Sequence, residues 1–379
     1  MRKIYCLLLA LLLIALFPAC DVIDSKDKTT ENKAPSVVTE DDSYEYYSEL
    51  ISFDEFSSKP YVSITIDIPL VKGIRPSITL IDDNLIAYTT TNNDPKTDES
   101  FFSELGMLDL HTQKYIPLVT LDNGFSVAAY ETINANYIVW MEGLDGASWL
   151  KTKLHLYDRA NEQDNIIYES AGVAMNFNSA VLLNDIVYFD DIVGERNGML
   201  ESNIFGYDIA KGKVSLISPM AKLPSIYQGR LAFLTPETQG NGSSLSIYEN
   251  EQINVVASFD SRDVATVGVS GNHILLNKRN FDIDDPEAMT SSKLHLDDSA
   301  IPILSGKDNV YTFSPKTNNQ FVVWAQSCPG KPVFYDILKD QFVKLDQEPD
   351  DMYAAFLTND KLVFISEKDD EPTRCIIIT

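Results

Sequence analysis

The chain has 379 residues, long enough for a large folded core, and its 30 Lys and Arg are outnumbered by 56 Asp and Glu. The formal net charge of −26 argues against nucleic-acid binding, which needs Lys and Arg to neutralise phosphates. It argues equally against a basic patch that would hold an anionic membrane surface. Such a negative charge is typical of a protein whose surface keeps it soluble, or of one that binds cations or basic partners.

Residues 1–19 predict a secretory signal peptide, because two basic residues precede a ten-residue apolar run at 7–16. Cys20 directly follows the small residue Ala19, and this junction resembles the bacterial lipobox. The resemblance implies that Cys20 becomes the acylated N-terminus of a lipid-anchored, extracytoplasmic protein in the cell membrane or the outer membrane. The alternative is an ordinary cleaved signal followed by a chance cysteine.

Residues 20–57 predict a flexible tether behind the acylated Cys20. Positions 21–57 contain 11 acidic and 3 basic residues without a sustained period, a composition typical of disordered segments. Residues 58–379 then form the folded head.

A turn followed by an apolar strand recurs seven times along the head. The copies are IDDNLIAY at 81–88, INANYIVW at 133–140, LLNDIVYF at 182–189, IYQGRLAF at 226–233, VSGNHILL at 269–276, TNNQFVVW at 317–324 and LTNDKLVF at 357–364. A strand-type repeat every 40–50 residues predicts a β-propeller. Consecutive apolar residues in these strands indicate sheets that are buried on both faces, as in stacked blades. Two β-sandwiches would not explain the regular recurrence.

We call this recurring turn and strand the echo. Each repeat contains enough sequence for four antiparallel strands, because a further strand precedes the echo and a hairpin such as 204–218 follows it. After the seventh copy only one strand remains, at 374–379, and an additional strand, YVSITIDIPL, lies at 61–70. We therefore predict an all-β, seven-bladed β-propeller of four-stranded antiparallel blades, with its ring closed by this N-terminal strand. Six or eight blades are the alternatives.

The echo strands VSGNHILL and INANYIVW, together with the hairpins HLYDRANEQ and FGYDIAKGK, resemble the TolB-like propeller superfamily, particularly its surface-type members. The resemblance covers about 320 residues of the head. It implies a fold but no single activity, because that superfamily mixes scaffolds, binding modules and a few enzymes.

The connections between the second and third strands of the repeats are the longest, and function concentrates on long loops. They lie at 90–104, 142–151, 190–203, 235–244 and 278–292. Their acidic and aromatic residues suggest a sugar or peptide site, in which Trp149 would stack on the ligand; the alternative is a set of solvated loops. The candidate ligand-binding residues are Asp145, Trp149, Asp190, Asp191, Glu195, Phe281, Asp282, Asp284 and Asp285.

Signals of catalysis and of bound metal are weak in this sequence. The run at 281–287 is acidic but lacks the residue spacing of a calcium loop. Neither G-x-S-x-G nor H-E-x-x-H occurs. His155 and His295 occupy matching positions of the repeat, and Trp140 and Trp324 are predicted to lie in the core. We expect no cofactor and no metal.

Cys328 and Cys375 could form a disulfide in an oxidising compartment. A bridge would require their Cα atoms to lie within about 7 Å of each other.

The sequence thus predicts a cell-envelope lipoprotein whose propeller head is a non-catalytic binding or scaffold module for protein or glycan. One alternative is a scaffold for envelope assembly. Another is a polysaccharide hydrolase or lyase that uses carboxylates on the loop face. The expected partners are the membrane, through the lipid anchor, and a protein or glycan ligand, but not nucleic acid.

Overall fold

The computed structural model describes the head with several gaps. The described residues are 61–91, 103–121, 127–143, 151–170, 172–173, 179–196, 199–236, 242–260, 264–281, 289–297, 299–300, 312–326, 332–343, 352–366 and 372–379. The predicted signal peptide, Cys20 and the predicted tether lie outside them. Within the described part of the chain, no helix has the length and apolar character needed to cross a membrane.

The described residues form 28 β-strands. The first fourteen are β1 Ile64–Asp67, β2 Ser77–Ile81, β3 Ile86–Thr91, β4 Glu104–Asp109, β5 Tyr115–Thr120, β6 Val127–Ile133, β7 Tyr137–Gly143, β8 Thr152–Asp158, β9 Gln163–Glu169, β10 Ala180–Leu183, β11 Ile186–Arg196, β12 Met199–Asp208, β13 Lys213–Ser218 and β14 Lys222–Tyr227. The others are β15 Arg230–Pro236, β16 Gly242–Glu249, β17 Gln252–Asp260, β18 Val264–Ser270, β19 His273–Phe281, β20 Met289–Leu296, β21 Ser299–Ala300, β22 Thr312–Thr317, β23 Phe321–Gln326, β24 Pro332–Asp336, β25 Gln341–Phe342, β26 Met352–Leu357, β27 Leu362–Ser366 and β28 Arg374–Ile378.

These strands pair into seven four-stranded sheets within the described residues. Sheets 1 to 6 take their strands in chain order: β2–β5, β6–β9, β10–β13, β14–β17, β18–β21 and β22–β25. Sheet 7 has the order β1-β28-β27-β26. All neighbouring strands are antiparallel, as the pairing of β6 with β7 and of β7 with β8 illustrates. The predicted all-β propeller of four-stranded antiparallel blades is confirmed.

In sheets 1 to 6 we call the first strand the A strand and the next the B strand; in sheet 7 these are β26 and β27. The echo strands of the sequence are the B strands, and their side chains are buried on both faces. All five residues of β27 are buried, and Trp140 in β7 and Trp324 in β23 are 1% and 0% exposed. Both tryptophans are thus core residues, as predicted. Burying one large apolar side chain contributes about 1.5–3 kcal/mol, so stacking of the sheets is the main stabilising force.

The polar residue that opens most echoes stabilises the turn between the A and B strands. Asp82 Oδ1 accepts hydrogen bonds from the backbone N–H of Asn84 at 3.0 Å and of Ile86 at 2.9 Å. Asn134 Oδ1 does the same for the N–H of Asn136 and Tyr137, both at 2.8 Å. Short Asp and Asn side chains mimic a backbone turn in this way, which explains why they recur before the apolar strands.

The N-terminal strand β1 is the outer strand of the sheet that contains the C-terminal strand β28. Ile64 pairs with Ile377, and Asp67 pairs with Arg374. Just before β1, buried Tyr61 donates a 2.9 Å hydrogen bond to Asp336 Oδ2 at the end of β24 in sheet 6. The N-terminal segment therefore contacts two different sheets.

One predicted loop is a strand extension. The sequence predicts a long connection at 190–203, but β11 runs to Arg196 and β12 begins at Met199. Pairing between these strands continues as far as Arg196 with Met199. The prediction of a loop was wrong because it relied on the polar composition of this stretch. The ends of β11 and β12 extend beyond the shorter strands β10 and β13, so their residues can be polar and still form a paired hairpin.

Candidate functional site: a cavity between the inner strands

The A strands of neighbouring sheets lie side by side. Contacts join β2 to β6, β6 to β10, β10 to β14, β14 to β18 and β18 to β22, and β2 also contacts β26. A cavity of about 440 Å³, which we call the inner-strand cavity, is lined by residues of the A strands β2, β14, β18, β22 and β26. Its lining comes from five sheets and from Ser179, which precedes β10, and comprises Thr79, Leu80, Ile81, Ser179, Leu223, Pro224, Ser225, Val267, Gly268, Val269, Leu275, Lys316, Thr317, Ala355, Phe356 and Leu357.

Most A strands carry a β-bulge next to this cavity. The register with the B strand shifts in β2, β6, β14, β18, β22 and β26. Only β10, which is four residues long, pairs without a shift among the described A strands. A bulge leaves one residue without a cross-strand partner and redirects its side chain, so these bulges decide which groups reach the interior.

Glu131 is the residue at the bulge of β6. Its neighbours Tyr130 and Thr132 pair with Trp140 and Val139, and Glu131 itself has no cross-strand partner in β7. Burial raises the pKa of its carboxyl to about 8, and the negative charge of Asp190 adds to that rise. A hydrogen bond from the backbone N–H of Ala180 and attraction to Lys316 act in the opposite direction.

Lys316 lies in β22 and lines the cavity. Water reaches its side chain, yet protein surrounds it, as expected for a group inside a solvent-filled cavity. The loss of bulk solvation lowers the pKa of its ammonium group, and the attraction of Glu131 opposes this change. Lys316 and Glu131 are therefore electrostatically coupled.

Asp190 lies in the B strand β11, opposite Ile204, and is 5% exposed. Its Oδ2 accepts a 3.0 Å hydrogen bond from the backbone N–H of Leu223, a residue that lines the cavity in sheet 4. Burial raises the pKa of Asp190 to about 6, although this hydrogen bond opposes the rise. Asp190 thus joins two sheets at the cavity wall.

The other candidate residues of the sequence are distributed differently. Asp191 is 1% exposed in β11 and accepts a 2.7 Å hydrogen bond from Tyr168 Oη in sheet 2, so it is a buried contact between sheets. Glu195 is exposed near the end of β11. The prediction that these residues and Asp190 lie on a loop was wrong, because the strand continues through them.

The remaining predicted residues lie outside the part of the chain whose side chains the structure describes. Asp145, Trp149, Asp282, Asp284, Asp285 and Cys328 lie outside the described residues. Phe281 ends β19, but its side chain is outside the described part. A binding role for this set stays a prediction.

Cys375 is a buried thiol in β28, within the apolar cluster that joins sheets 1 and 7. Burial raises the pKa of this thiol to about 12, which makes it a poor nucleophile. Its pairing with Cys328 stays a prediction.

A second polar cluster lies inside sheet 2. His155 in β8 stacks on Trp140 with ring centroids 3.8 Å apart, and its Nδ1 is 2.7 Å from Asp164 Oδ2. Its Nε2 lies 3.5 Å from Glu142, and Trp140 Nε1 donates to Asp164 Oδ1 at 2.8 Å. Burial alone would lower the pKa of His155, but the two carboxylates outweigh it and raise the pKa. In sheet 2, His155 is therefore part of a buried cluster of ionisable groups with Glu142 and Asp164.

The sequence interpretation missed Glu131 and Lys316, because it sought function on the long loops. One signal was present: each is a charged residue near the end of the strand that precedes an echo, in YETI and SPKT. A charge in an inner strand requires either a partner or a cavity. Among the described residues, no group of three or more His, Cys, Asp or Glu side chains could hold a metal ion.

Comparison with known proteins supports the fold only. No family model matches the chain, and no curated protein sequence is significantly similar to it. The β-propeller domain of the Trilobed protease from Pyrococcus furiosus, described as having an open velcro topology, superposes with a TM-score of 0.55 at 10% identity, over 80% of this chain and 93% of that domain.

Two peptidase structures also match. Pyrococcus horikoshii acylaminoacyl peptidase gives a TM-score of 0.51 at 11% identity over 79% of this chain, and a prolyl endopeptidase gives 0.52 at 9% over 83%. The chain spans 50% and 48% of the lengths of these two peptidases. At such low identities the similarity establishes a β-propeller and nothing about chemistry.

Proposed function

We propose that this chain is a lipid-anchored, TolB-like surface propeller of the cell envelope whose head is a non-catalytic binding module. The ring has seven blades and is closed by β1, and the ligand, or the polar end of a larger protein or glycan ligand, is recognised in the inner-strand cavity. The observation that carries the proposal is a cavity of about 440 Å³ with the ionisable side chain of Lys316 in its lining. Ligand sites are usually pre-formed concavities with a few polar groups of this kind.

Two observations support the closed ring. The B strand of sheet 7 packs against sheet 1 in one apolar cluster that contains Ile81, Leu108, Val363 and Ile377. β1 hydrogen-bonds along β28 and so supplies an outer strand to the sheet of the C-terminus. A ring closed in this way holds the walls of the cavity in fixed positions, because no sheet is free to move away from its neighbours.

A plugged cavity tests the binding function. Ser225 lines the cavity, and the variant Ser225→Trp would fill much of it. Leu216→Trp is the matched control, because Leu216 is 54% exposed on the outer strand β13. Both variants and the wild type would be screened on a glycan array and by thermal shift against small metabolites. We expect hits for wild type and Leu216→Trp that disappear in Ser225→Trp.

Binding that survives in folded Ser225→Trp would overturn the role of the cavity and favour the loop face. Absence of all small-molecule and glycan binding, together with crosslinking to a single envelope protein in cells, would favour the assembly scaffold. Labelling with a fatty-acid analogue tests the anchor: wild type should incorporate the label, and Cys20→Ala should not.

The hydrolase or lyase alternative is favoured by one observation. Glu131 and Asp190 are neighbouring carboxyl groups whose pKa values burial raises to about 8 and about 6. Two carboxyls with separated pKa values are the arrangement that glycosidases use as acid and base. A reducing-sugar assay on mixed polysaccharides tests this function. Activity that disappears in Asp190→Asn would replace the non-catalytic proposal.

A further inference from the structure

We propose that the inner-strand cavity binds a small aliphatic monocarboxylate, whose carboxylate meets Lys316 and whose hydrocarbon chain packs on the apolar part of the lining. This ligand class rests on the binding function proposed above and makes it specific. The side chains that line the cavity and the hydrogen bonds that they already make both favour this class.

Lys316 is the charged group of the cavity. Among the described residues of the lining, it alone has an ionisable side chain. That side chain is exposed, and no hydrogen bond or ion pair joins it to another residue whose side chain the structure describes. The attraction of Glu131 does not replace the solvation that the ammonium group has lost, because the pKa of Lys316 remains lowered. An anion beside its Nζ would supply that compensation.

Most hydroxyl groups of the lining already donate to the protein. Thr79 Oγ1 donates to the carbonyl of Tyr88 at 3.4 Å, and Ser225 Oγ donates to the carbonyl of Leu223 at 3.4 Å. Thr317 Oγ1 shares its proton between two backbone carbonyls at 2.9 and 3.1 Å. A hydroxyl has one proton to donate, so the ammonium group is the main donor that this lining offers to a ligand.

The rest of the lining is largely apolar. Leu80 contributes from β2, Val267 and Val269 from β18, and Phe356 and Leu357 from β26. The volume of about 440 Å³ lies within the range of roughly 300–1,000 Å³ that small-molecule sites occupy. Burial of one methylene group strengthens binding by up to roughly fourfold. A hydrocarbon chain attached to the carboxylate would therefore add affinity that a small inorganic anion cannot obtain.

Leu223 presents an apolar side chain to the cavity at a conformational cost. Its φ of 57° lies in the left-handed region, which is uncommon for leucine. It is 38% exposed and lines the cavity. Its N–H donates at 3.0 Å to Asp190 Oδ2, and a charged acceptor holds this conformation more firmly than a neutral one would. Backbone strain of this kind is found where it positions a group for function.

Other ligand classes suit this lining less well. An amine would place a second positive charge beside Lys316. Phosphate would meet the ammonium group but would leave the apolar side chains uncovered. A sugar needs several donors and acceptors, whereas most hydroxyl groups of the lining are already engaged. The monocarboxylate satisfies both the charge and the apolar walls.

Isothermal titration calorimetry of the full chain in mild detergent at pH 7 tests the proposal. The probes are acetate, butyrate, hexanoate and octanoate, with hexanamide, hexylamine and phosphate as comparison ligands. We expect hexanoate to bind at least about tenfold more tightly than acetate and than each comparison ligand, a difference in binding free energy of about 1.4 kcal/mol.

Two variants and one control separate the carboxylate contact from the apolar contact. Lys316→Met should weaken hexanoate binding at least about tenfold, whereas Lys213→Met, which removes an exposed lysine of β13, should bind normally. Leu223→Asn places a residue that tolerates the left-handed conformation at this position and removes the apolar side chain. It should melt no lower than wild type, yet bind hexanoate at least about threefold more weakly with unchanged acetate affinity, a combination that a merely structural role would not produce.

Thermal melting of each variant separates lost binding from lost folding, and the comparison of the probes needs no variant at all. Hexanamide or hexylamine binding as tightly as hexanoate would overturn the proposal, as would normal hexanoate binding by folded Lys316→Met. An affinity that does not rise from acetate to hexanoate, or failure of the whole carboxylate series at millimolar concentration, would also reject it. If a different ligand then bound wild type but not Ser225→Trp, the monocarboxylate would be refuted while the proposed binding function stood.

Discussion

Replacing residues 61–70 with a Gly-Ser run of equal length should leave the head without a stable fold. The replacement removes the buried side chains of Tyr61 and Ile68, 7% and 4% exposed, and the pairing of β1 with β28. Burial of two such side chains contributes about 3–6 kcal/mol. The hydrogen bond from Tyr61 to the buried carboxylate of Asp336 contributes about 1.5–3 kcal/mol more. The summed loss is comparable with the total free energy of unfolding of a typical protein, which is about 5–15 kcal/mol.

Thermal and urea unfolding followed by circular dichroism measure this effect. A matched control replaces residues 27–36, within the predicted tether, with the same Gly-Ser run and should melt like the wild type. At roughly 2–4 °C per kcal/mol for a large domain, any variant that folds should melt at least about 10 °C lower. A replaced β1 that leaves the melting temperature unchanged would refute closure of the ring by the N-terminal strand.

Two further substitutions probe the interior of single sheets. His155→Gln should lose stability relative to wild type mainly at low pH: carboxylates raise the pKa of His155, so its contribution is complete below the unfolded value of about 6.5 and is lost as pH rises through the folded pKa. Urea unfolding from pH 5.5 to 9 measures this, and a difference that grows with pH would contradict it. Gly106→Ala should destabilise by about 1–3 kcal/mol, because its Cβ would overlap the hydroxyl and ring of Tyr115. Gly194→Ala, with nothing within 4 Å, is the control and should change stability by less than about 0.5 kcal/mol; equal effects would refute the steric argument.

The fold could be predicted because the same physical constraint recurs in every repeat. A B strand buried on both faces needs consecutive apolar residues, and a tight turn needs a short polar side chain such as Asp82 or Asn134 before it. Both signals are local in the sequence. The extent of β11 was not predictable, because Asp190 and Glu195 have the composition of a loop and only pairing with β12 keeps them in a strand.

The candidate site was harder to predict, since it depends on contacts between repeats. Glu131 and Lys316 are separated by more than half of the head in sequence, and only the arrangement of the A strands brings their charges into one electrostatic environment. The bulge at Glu131 is a change of one residue in register, which no pattern of hydrophobic residues specifies.

Neutralising Asp190 and neutralising Asp191, two adjacent carboxylates on β11, should have opposite effects on stability. Asp191 accepts the hydrogen bond of Tyr168, so Asp191→Asn exchanges a charged acceptor for a neutral one and should cost about 1 kcal/mol without changing ligand affinity. Asp190 has a pKa raised to about 6 by burial, so its folded form binds more protons than the unfolded chain between about pH 4 and 6. Its ionisation therefore reduces stability as pH rises through that window.

Asp190→Asn should remove this pH dependence and make the protein more stable than wild type above pH 6, because the amide oxygen can still accept from the Leu223 N–H. The same variant should weaken ligand binding in the cavity. Denaturant unfolding at pH 4 and 8, together with calorimetry, measures both effects. A buried carboxylate that costs stability when ionised is retained when function requires its charge. An Asp190→Asn variant that is less stable than wild type at pH 8 and binds normally would make Asp190 a structural link between sheets, as Asp191 is.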